Sequence, residues 1–297
     1  MMRLHPSTLA CLPSDVARPR YDREALRPGI VHLGLGSFAR AHLAAATEAA
    51  LHASGDLRWG IVGVSLRTSD TRDALAPQAG LYTLALRERA GDGTPHETLR
   101  VIGAVTQLLV APEDPAAVLA KIACSDTRIV SLSVTEQGYH RDSASGALRT
   151  DDADIAHDLA HPTTPRSALG FIVHGLRRRL QRGLRPLSLL SCDRVPDNGR
   201  TLRRLVLEFA EHVDPALHAW ILASCTFPNS MLNRVVLRGS DADRTRVRER
   251  LGLEDSGTVF AEPLVDWAIE DRFAAGRPAW DEAGARFVEQ AEALVRV

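Results

Sequence analysis

Short apolar runs alternate along this chain with longer segments of helical periodicity. Such alternation predicts βαβ units, in which helices cover a mostly parallel sheet. Apolar residues adjoin one another within each short run, as in strands buried on both faces. The strand-like runs lie at 30–33, 59–66, 101–110, 128–134 and 187–193, and the helical segments at 40–53, 115–124, 167–183, 198–213 and 215–225. The expected fold class is therefore α/β, with a doubly wound, mostly parallel sheet.

The composition excludes several classes of protein. The 297 residues are 45% apolar and 25% charged, as in a globular chain rather than a disordered or fibrous one. A formal net charge of −1 argues against nucleic acid or an anionic membrane as the main partner. The apolar runs are shorter than the ~18 residues of a membrane span. The first residues hold no signal-peptide core, so a cytoplasmic location is expected.

The segment Gly34-Leu35-Gly36-Ser37-Phe38-Ala39 follows the first predicted strand and precedes a helix. It fits G-x-G-x-x-A in the context of a dinucleotide-binding, Rossmann-like fold. Gly34 would allow a tight turn, and Gly36 would let the backbone approach a pyrophosphate. The start of the helix offers free N–H groups to the same phosphates. On this motif alone, a glycine turn without a ligand is an equal alternative.

The signal for the adenosine ribose is missing. An Asp or Glu at the end of the second strand would bind the 2′-hydroxyl, but the chain there reads Leu66-Arg67-Thr68-Ser69-Asp70. Asp70 comes late for this role. Arg67 would suit the 2′-phosphate of NADP, or is simply solvated. The residues alone leave NAD and NADP open.

Polar residues also follow two later strands. Thr135-Glu136-Gln137-Gly138-Tyr139 comes after the strand at 128–134, and SCDRVPDNG (191–199) comes after the strand at 187–193. Residues past the carboxyl ends of strands line the ligand crevice of an open α/β sheet. A capped turn and a helix cap are the respective alternatives.

His157 and His161 have the spacing of zinc ligands on a helix. Asp158 stands where a zinc protease would need glutamate, and Pro162 interrupts the helix. The four cysteines form no C-x-x-C pair. We therefore predict that the chain has no metal site.

Taken together, six ordered segments resemble the mannitol dehydrogenase family of polyol and sugar-acid dehydrogenases, which includes fructuronate and tagaturonate reductases. They cover roughly residues 29 to 290. The segments are IVHLGLGSFARAH, WGIVGVSLR, RIVSLSVTEQGY, SCDRVPDNG, FPNSMLNR and AIEDRFAAGRPAW.

The resemblance implies a Rossmann domain at 29–285 behind an N-terminal arm at 1–28. It also implies a helical C-terminal domain, of which only 286–297 would be present. In the family, hydride passes without a metal between NAD and a polyol or sugar acid. A lysine of the helical domain is the general base there, in a K-x-x-x-x-N-x-x-H run. That asparagine and one from an SCDN motif hold the developing alkoxide.

This chain departs from the family pattern. Lys121 is its only lysine and lies in a predicted Rossmann helix. The SCDN asparagine is Arg194 here, and the aspartate of the family's FPNSMVDR motif is Asn233. The family commonly has histidine at Ala39 and lysine at Gln137. We therefore mark Arg194 and Asn233 as the catalytic positions, without a catalytic lysine.

The resemblance identifies a set of cofactor contacts and favours NAD over NADP. These residues are Gly34, Gly36, Ser37, Phe38, Arg40, Arg67, Thr135 and Glu136. The function expected is an NAD(P)-dependent oxidoreductase with a small-molecule substrate of the mannitol/fructose or mannonate/fructuronate type. A catalytically inactive dinucleotide-binding remnant is the alternative, and an interaction module without cofactor is a third.

One surface expectation follows from the implied loss of the helical domain. The family's helical domain covers one side of the crevice. We expect its loss to expose an apolar patch around Trp267, Ile269, Phe273 and the tail from Phe287.

Overall fold

The computed structural model describes residues 1–89, 95–263 and 266–289. The strands are β1 (Ile30–Leu33), β2 (Ile61–Ser65), β3 (Tyr82–Arg89), β4 (Pro95–Ile102), β5 (Val105–Val110), β6 (Ile129–Leu132), β7 (Ser188–Ser191), β8 (Ser230–Asn233), β9 (Val236–Leu237), β10 (Val259–Ala261), β11 (Asp266–Glu270) and β12 (Ala285–Val288). The α-helices are α1 (Ser37–Ala41), α2 (Leu43–Ser54), α3 (Asp70–Leu75), α4 (Pro115–Ile122), α5 (Ala153–Ala160), α6 (Ala168–Gln181), α7 (Asn198–Val213), α8 (Pro215–Ser224) and α9 (Asp241–Leu251).

The main sheet has five parallel strands in the order β5-β2-β1-β6-β7. Strand order reverses at β1, so β1 and its neighbours β2 and β6 form the topological switch point of a doubly wound sheet. Strands β1 and β6 are buried along their whole length, which explains why their apolar residues do not alternate with exposed polar ones. Their two polar residues, His32 and Ser131, are also buried and lie 2.9 Å apart. The α/β, Rossmann-like prediction is confirmed for this sheet.

The apolar core is divided by this sheet. One cluster packs α4, α6, α7 and α8 on one face, with Phe171 and Phe209 fully buried in it. The other cluster packs α2 with residues of the two smaller sheets. The switch point therefore lies between two covered layers, and its carboxyl edge is the remaining open side.

Two smaller sheets were not predicted. One has the order β4-β3-β10-β9, and the other has the order β12-β11-β8. The single strand predicted at 101–110 is wrong, since β4 pairs with β3 whereas β5 pairs with β2. Gly103 lies between them, and a Cβ there would stand 2.5 Å from the ring of Pro19. This tight passage lets the chain change sheets within two residues.

The N-terminal segment 1–28 packs against the rest of the chain. Leu4, Leu12 and Val16 are buried in a cluster beneath the second sheet. The Leu4 N–H donates to the Glu254 carbonyl at 2.8 Å. The proposed domain limits at 28 and 285 stay predictions.

The expected apolar patch is wrong at two of its residues. Trp267 and Ile269, both on β11, are fully buried, and the indole of Trp267 packs against His42 and Trp280. Phe273 and Phe287 are half-buried. The tail beyond residue 289 lies outside the described residues.

Within the described residues, no helix is long and apolar enough to cross a membrane.

Candidate functional site

The glycine loop after β1 has a conformation that its sequence dictates. Gly34 has φ +94°, a backbone region that side chains disfavour. A Cβ on Gly34 would stand 2.2 Å from the Ser133 carbonyl oxygen, beyond the end of β6. The N–H groups of Gly34 and Leu35 donate to the Val64 carbonyl at 2.8 and 3.1 Å. Gly34 is thus required by the packing of three strand ends.

Gly36 serves a different purpose. It is the N-cap of α1, and a Cβ built on it would meet no atom closer than 4.0 Å. No side chain caps this helix start. The predicted helix at 40–53 is in fact the end of α1 followed by α2, with a break at His42 (φ −113°, ψ −83°). The backbone at Gly36 therefore faces open space, as a cradle for a ligand requires.

A cavity of about 480 Å³ opens beside this loop, at the carboxyl ends of β1, β2 and β6. Four of the predicted cofactor contacts line it, namely Gly34, Gly36, Arg67 and Thr135. Its other walls come from the start of α6 and from the loop after β6. The structure therefore brings residues that are far apart in sequence to one crevice, at the edge where such folds bind ligands.

The other four predicted contacts lie elsewhere. Arg40 donates to the Gly257 carbonyl and lies over the Tyr82 ring, 5.5 Å from its centroid. Ser37 lines a small cavity with Arg40. Glu136 is exposed and pairs with Arg141 at 2.7 Å. These placements do not join Ser37, Arg40 and Glu136 to the large crevice.

Phe38, the fourth, lines a second opening of about 470 Å³ with Cys192, Arg194 and Arg234. Asp193 also borders this opening, which we call the substrate-side opening because Arg194, one of the two predicted catalytic positions, lines it. The side chain of Phe38 has no polar atom, so it contributes an apolar wall to the opening.

The end of the crevice beside β2, called the ribose end because the sequence predicts the adenosine ribose there, is cationic and hydroxylic. Arg67, Thr68 and Thr71 line it after β2. Thr68 donates its hydroxyl to Asp70 at 2.8 Å, and Asp70 is not among the lining residues. The late position of Asp70 in the sequence is thus matched by its position at the start of α3.

Sequence reasoning missed His140, Asp154 and Arg166, which also line the nucleotide-side cavity. The ligand atoms of His140, Asp152 and Asp154 lie within 4.8 Å of one another. Asp152 is the N-cap of α5 and accepts from the N–H of Asp154 at 3.0 Å. His140 Nδ1 stands 3.0 Å from the same carboxylate. Helix capping accounts for this cluster, and the D-D-A-D pattern at 151–154 was the available signal.

The residues His157 and His161 stack ring on ring, with centroids 4.4 Å apart. Asp158 accepts from the N–H groups of Arg166 and Ser167, both at 2.8 Å. Asp158 thus holds the start of α6 in place through these two hydrogen bonds.

The two predicted catalytic positions are neighbours in space, and Arg194 lines the substrate-side opening. The Arg194 guanidinium donates to the Arg234 carbonyl at 3.0 Å and lies 3.4 Å from the Asn233 amide oxygen. Both Arg194 and Asn233 are exposed. A cation and an amide thus occupy the positions that carry an amide and a carboxylate in the family pattern.

Asp193, next to Arg194, is the most perturbed carboxyl of this crevice. Burial raises its pKa to about 6, against hydrogen bonds that lower it. It accepts from the Tyr139 hydroxyl at 2.9 Å and from the Val134 N–H at 3.2 Å. Tyr139 also lies 2.6 Å from the Ser191 hydroxyl. Asp193 therefore links the loops after β6 and β7 and is a group that sequence reasoning did not single out.

Three of the recognised motifs interlock behind this opening. Asn198 donates to the Ser230 carbonyl and accepts from its N–H, both at 2.9 Å. Asn229 accepts from the N–H of Gly199 at 2.8 Å, at the start of α7. The Asn229 N–H donates to Glu270 at 2.9 Å. The predicted helix cap by Asp197 or Asn198 is wrong, because Asp197 stands at the N-cap position without a side-chain bond and Asn229 caps the helix from a distant segment.

Lys121 does not reach the crevice. Its carbonyl accepts from the Thr127 hydroxyl at 2.7 Å, just before β6 begins. Lys121 therefore lies near the amino ends of the strands, whereas the crevice lies at their carboxyl ends.

A family model for the mannitol dehydrogenase Rossmann domain matches residues 28–282. The chain belongs to the mannitol dehydrogenase family. The segments that resemble the family include the residues Gly34, Gly36, Arg67 and Thr135 of the crevice. They also include the interlocked Asn198, Asn229 and Glu270.

Curated relatives agree with this mannitol dehydrogenase assignment. The chain is 39% identical over 292 residues to mannitol dehydrogenase DSF1 of Saccharomyces cerevisiae, covering 97% of this chain and 57% of the relative. It is 40% identical over 290 residues to mannitol 2-dehydrogenase of Pyrenophora tritici-repentis, covering 97% and 50%. It is 42% identical over 279 residues to the uncharacterised oxidoreductase YeiQ of Escherichia coli, covering 93% and 56%. The chain thus spans about half the length of these relatives.

Two solved structures match the fold closely. The ternary complex of Pseudomonas fluorescens mannitol 2-dehydrogenase with NAD and D-mannitol superposes with a TM-score of 0.92 at 38% identity, over 97% of this chain and 58% of that one. A D-sorbitol dehydrogenase in substrate-free form gives 0.90 at 37% identity, over 98% and 60%.

Proposed function

We propose that this chain is the cofactor-binding part of an NAD(P)-dependent oxidoreductase that acts on a polyol or a sugar acid. One observation carries the proposal: the open backbone at Gly36 faces a cavity at the switch point of the sheet. A neighbour of the same fold is named as a complex with NAD and D-mannitol. Ligands bind at this point of open α/β sheets.

The residues present fit a dinucleotide. Gly36 leaves room for a pyrophosphate beside the uncapped start of α1, where a side chain would intrude. Thr135 offers a hydroxyl from the loop after β6, on the other side of the cavity. When bound, a nicotinamide would supply the hydride acceptor or donor. The residues of this chain would hold it and set its position.

NAD is the preferred cofactor in this proposal, and NADP is the alternative. The named NAD complex of a 38% identical neighbour favours NAD. Arg67 and Thr68 at the ribose end favour the 2′-phosphate of NADP, because a guanidinium pairs well with phosphate.

The substrate would lie near Phe38, Arg194 and Asn233. Arg194 can donate hydrogen bonds to a developing alkoxide or pair with a substrate carboxylate. Asn233 offers an amide but no negative charge. This combination favours an acidic sugar over an uncharged polyol such as mannitol.

Calorimetric titration of NADH and NADPH tests the proposal. We expect Gly36→Val to weaken binding of the preferred cofactor at least about tenfold, because the side chain would displace the pyrophosphate. Gly55→Ala is the matched control, since Gly55 caps α2 far from the crevice. Equal heats for wild type and Gly36→Val, or none for either, would contradict the proposal.

A second candidate function is dinucleotide binding without turnover. Arg194 and Asn233 favour it, because they stand where the family pattern has an asparagine and an aspartate. Loss of one alkoxide donor costs roughly 10²–10³ in rate.

Turnover assays separate the two functions. We expect the 297-residue chain to show no oxidation of NADH with fructose, fructuronate or tagaturonate, and no reduction of NAD with mannitol or mannonate. The assays are then repeated after fusion to a family C-terminal domain, with and without Arg194→Asn and Asn233→Asp. Activity of the fusion without these reversions identifies a working reductase part. Activity only with both reversions identifies a site that has lost catalysis, and robust turnover by the unfused chain refutes the second function.

A further inference from the structure

A cavity of about 820 Å³ lies between α2 and the second sheet and shares no lining residue with the nucleotide-side cavity. Its volume falls within the range of small-molecule sites. The wall on α2 is made of small residues, including Ala45, Ala46 and Ala49. Leu84 and Ile102 form part of the opposite wall, on β3 and β4. The alanines leave the space that larger helix residues would fill.

Arg234 is the unusual residue of this cavity. It lines the cavity and is only 5% exposed. Its Nε is buried without a hydrogen-bond partner, and no ion pair to its guanidinium occurs among the described residues. A buried charge without a partner is costly, so proteins normally provide one.

A second guanidinium increases the positive charge of the cavity. Arg100 lines the cavity from β4 and is exposed, and no ion pair to it occurs among the residues described. Arg18, a third arginine in the lining, donates to the Leu9, Leu12 and Pro13 carbonyls. Burial, together with the charge of Arg100, lowers the pKa of Arg234 to about 10, so the Arg234 guanidinium stays cationic at neutral pH.

His42 adds an unsatisfied donor to the same wall. Both of its ring nitrogens are buried without partners within the described chain. Burial, with a smaller contribution from the charge of Arg234, lowers the pKa of His42 to about 3. The ring is therefore neutral and presents one N–H donor.

Glu48, the acidic residue in the lining of this cavity, already has hydrogen-bond partners. Glu48 accepts from the Tyr21 hydroxyl at 2.6 Å and from the Gly103 N–H at 2.8 Å. Its other oxygen lies 3.1 Å from the His52 ring. Glu48 therefore does not neutralise the two arginines.

We propose that this cavity binds a small anionic metabolite, whose phosphate or carboxylate groups are held by Arg100 and Arg234. Two guanidiniums can neutralise a dianion with charge-assisted hydrogen bonds. The alanine and leucine walls would contact the less polar part of the ligand. Arg234 also lines the substrate-side opening, and its carbonyl accepts from Arg194. An anion bound here would therefore steady the segment that carries Asn233.

Thermal unfolding with inorganic phosphate and with malonate tests this site. Ionic strength is held constant with chloride, and both wild type and Gly36→Val are measured. We expect at least one anion to raise the Tm of both proteins by about 3 °C or more at saturation. A response to phosphate alone identifies phosphate as the ligand group, and a response to malonate alone identifies a carboxylate. A shift in wild type that Gly36→Val abolishes places the anion in the nucleotide crevice and overturns the proposal, as does no shift with either anion.

Two variants locate the binding. Arg100→Gln and Arg234→Met should each reduce the shift to less than a third, whereas Arg203→Gln, which removes an exposed charge on α7, should keep it whole. Without added anion, Arg234→Met should unfold at the wild-type Tm or above, because it removes an unpaired buried cation. If Arg234→Met does not fold, Arg100→Gln decides alone. An undiminished shift in Arg100→Gln overturns the proposal.

Discussion

The two halves of the crevice are built in different ways. On the nucleotide side, the backbone shapes the cavity: Gly34 has a positive φ and packs against the Ser133 carbonyl, and Gly36 faces open space. On the substrate side, exposed polar side chains shape the opening. Two of them, Arg194 and Asn233, differ from the residues of the family pattern.

This difference teaches where change is tolerated. A backbone turn that packs three strand ends cannot change without damage to the fold, so stability alone retains it. A side chain at an open edge supports no core, and its replacement alters chemistry without loss of structure. A nucleotide half that has the glycine motif of the family is therefore compatible with a substrate half that departs from the family pattern.

The sharpest way to break the comparison is to place the same side chain at the two glycines. We expect Gly34→Ala to lower the free energy of unfolding by about 2–4 kcal/mol, through the positive φ and the overlap with Ser133. Gly36→Ala should change it by less than about 0.5 kcal/mol, since its Cβ meets no neighbour. Urea unfolding of both variants measures this. Equal losses would show that both glycines are structural.

A pH experiment probes the substrate half. Because the pKa of Asp193 is raised to about 6 in the folded protein, from roughly 3.9 when unfolded, its ionisation destabilises the fold. The penalty is small below pH 4, grows between pH 4 and 6, and is complete above that range. We expect Asp193→Asn to gain about 2–3 kcal/mol of stability relative to wild type between pH 4 and 7.5.

Urea unfolding at the two pH values measures that gain. Asp151→Asn, at an exposed position, is the control and should show no such trend. A difference between wild type and Asp193→Asn that stays constant with pH would contradict the expected ionisation of a buried carboxyl.

The smallest effect concerns the ribose end. We expect Arg67→Ala to weaken NADPH relative to NADH by about tenfold, because a charge-assisted bond to phosphate contributes roughly 1.5–3 kcal/mol. Arg203→Ala, with an exposed arginine removed elsewhere, should leave the ratio unchanged. Calorimetry of both cofactors gives the ratio. If Arg67→Ala behaves like its control, Arg67 is a solvated surface residue.

Much of the main sheet could be predicted from the sequence, because its strands are short, mostly apolar runs. The second and third sheets could not. Strand β8 alternates in burial over only four residues, and β10 has three, so neither gives a usable periodicity. The break at Gly103 depends on Pro19, which is distant in sequence.

The site shows the same limit. Gly34, Gly36, Arg67 and Thr135 follow directly from strand ends, and the structure brings them together. Among the described residues, Arg234 has no carboxylate partner, and this has no sequence signal because it depends on which side chains distant segments bring to the cavity. Asp193 gains its raised pKa from burial between two loops, which a linear motif does not reveal.

The interlock of Asn198, Asn229 and Glu270 has a consequence for the order of folding. The start of α7 is completed by a residue some thirty positions later, which in turn is held from some forty positions beyond that. Closing such loops costs chain entropy before any bond repays it. We therefore expect the loop with Arg194 to acquire its native shape only after β11 has docked. Amide protons of Gly199 and Asn229 should become protected from exchange together, and later than those of β1 and β6.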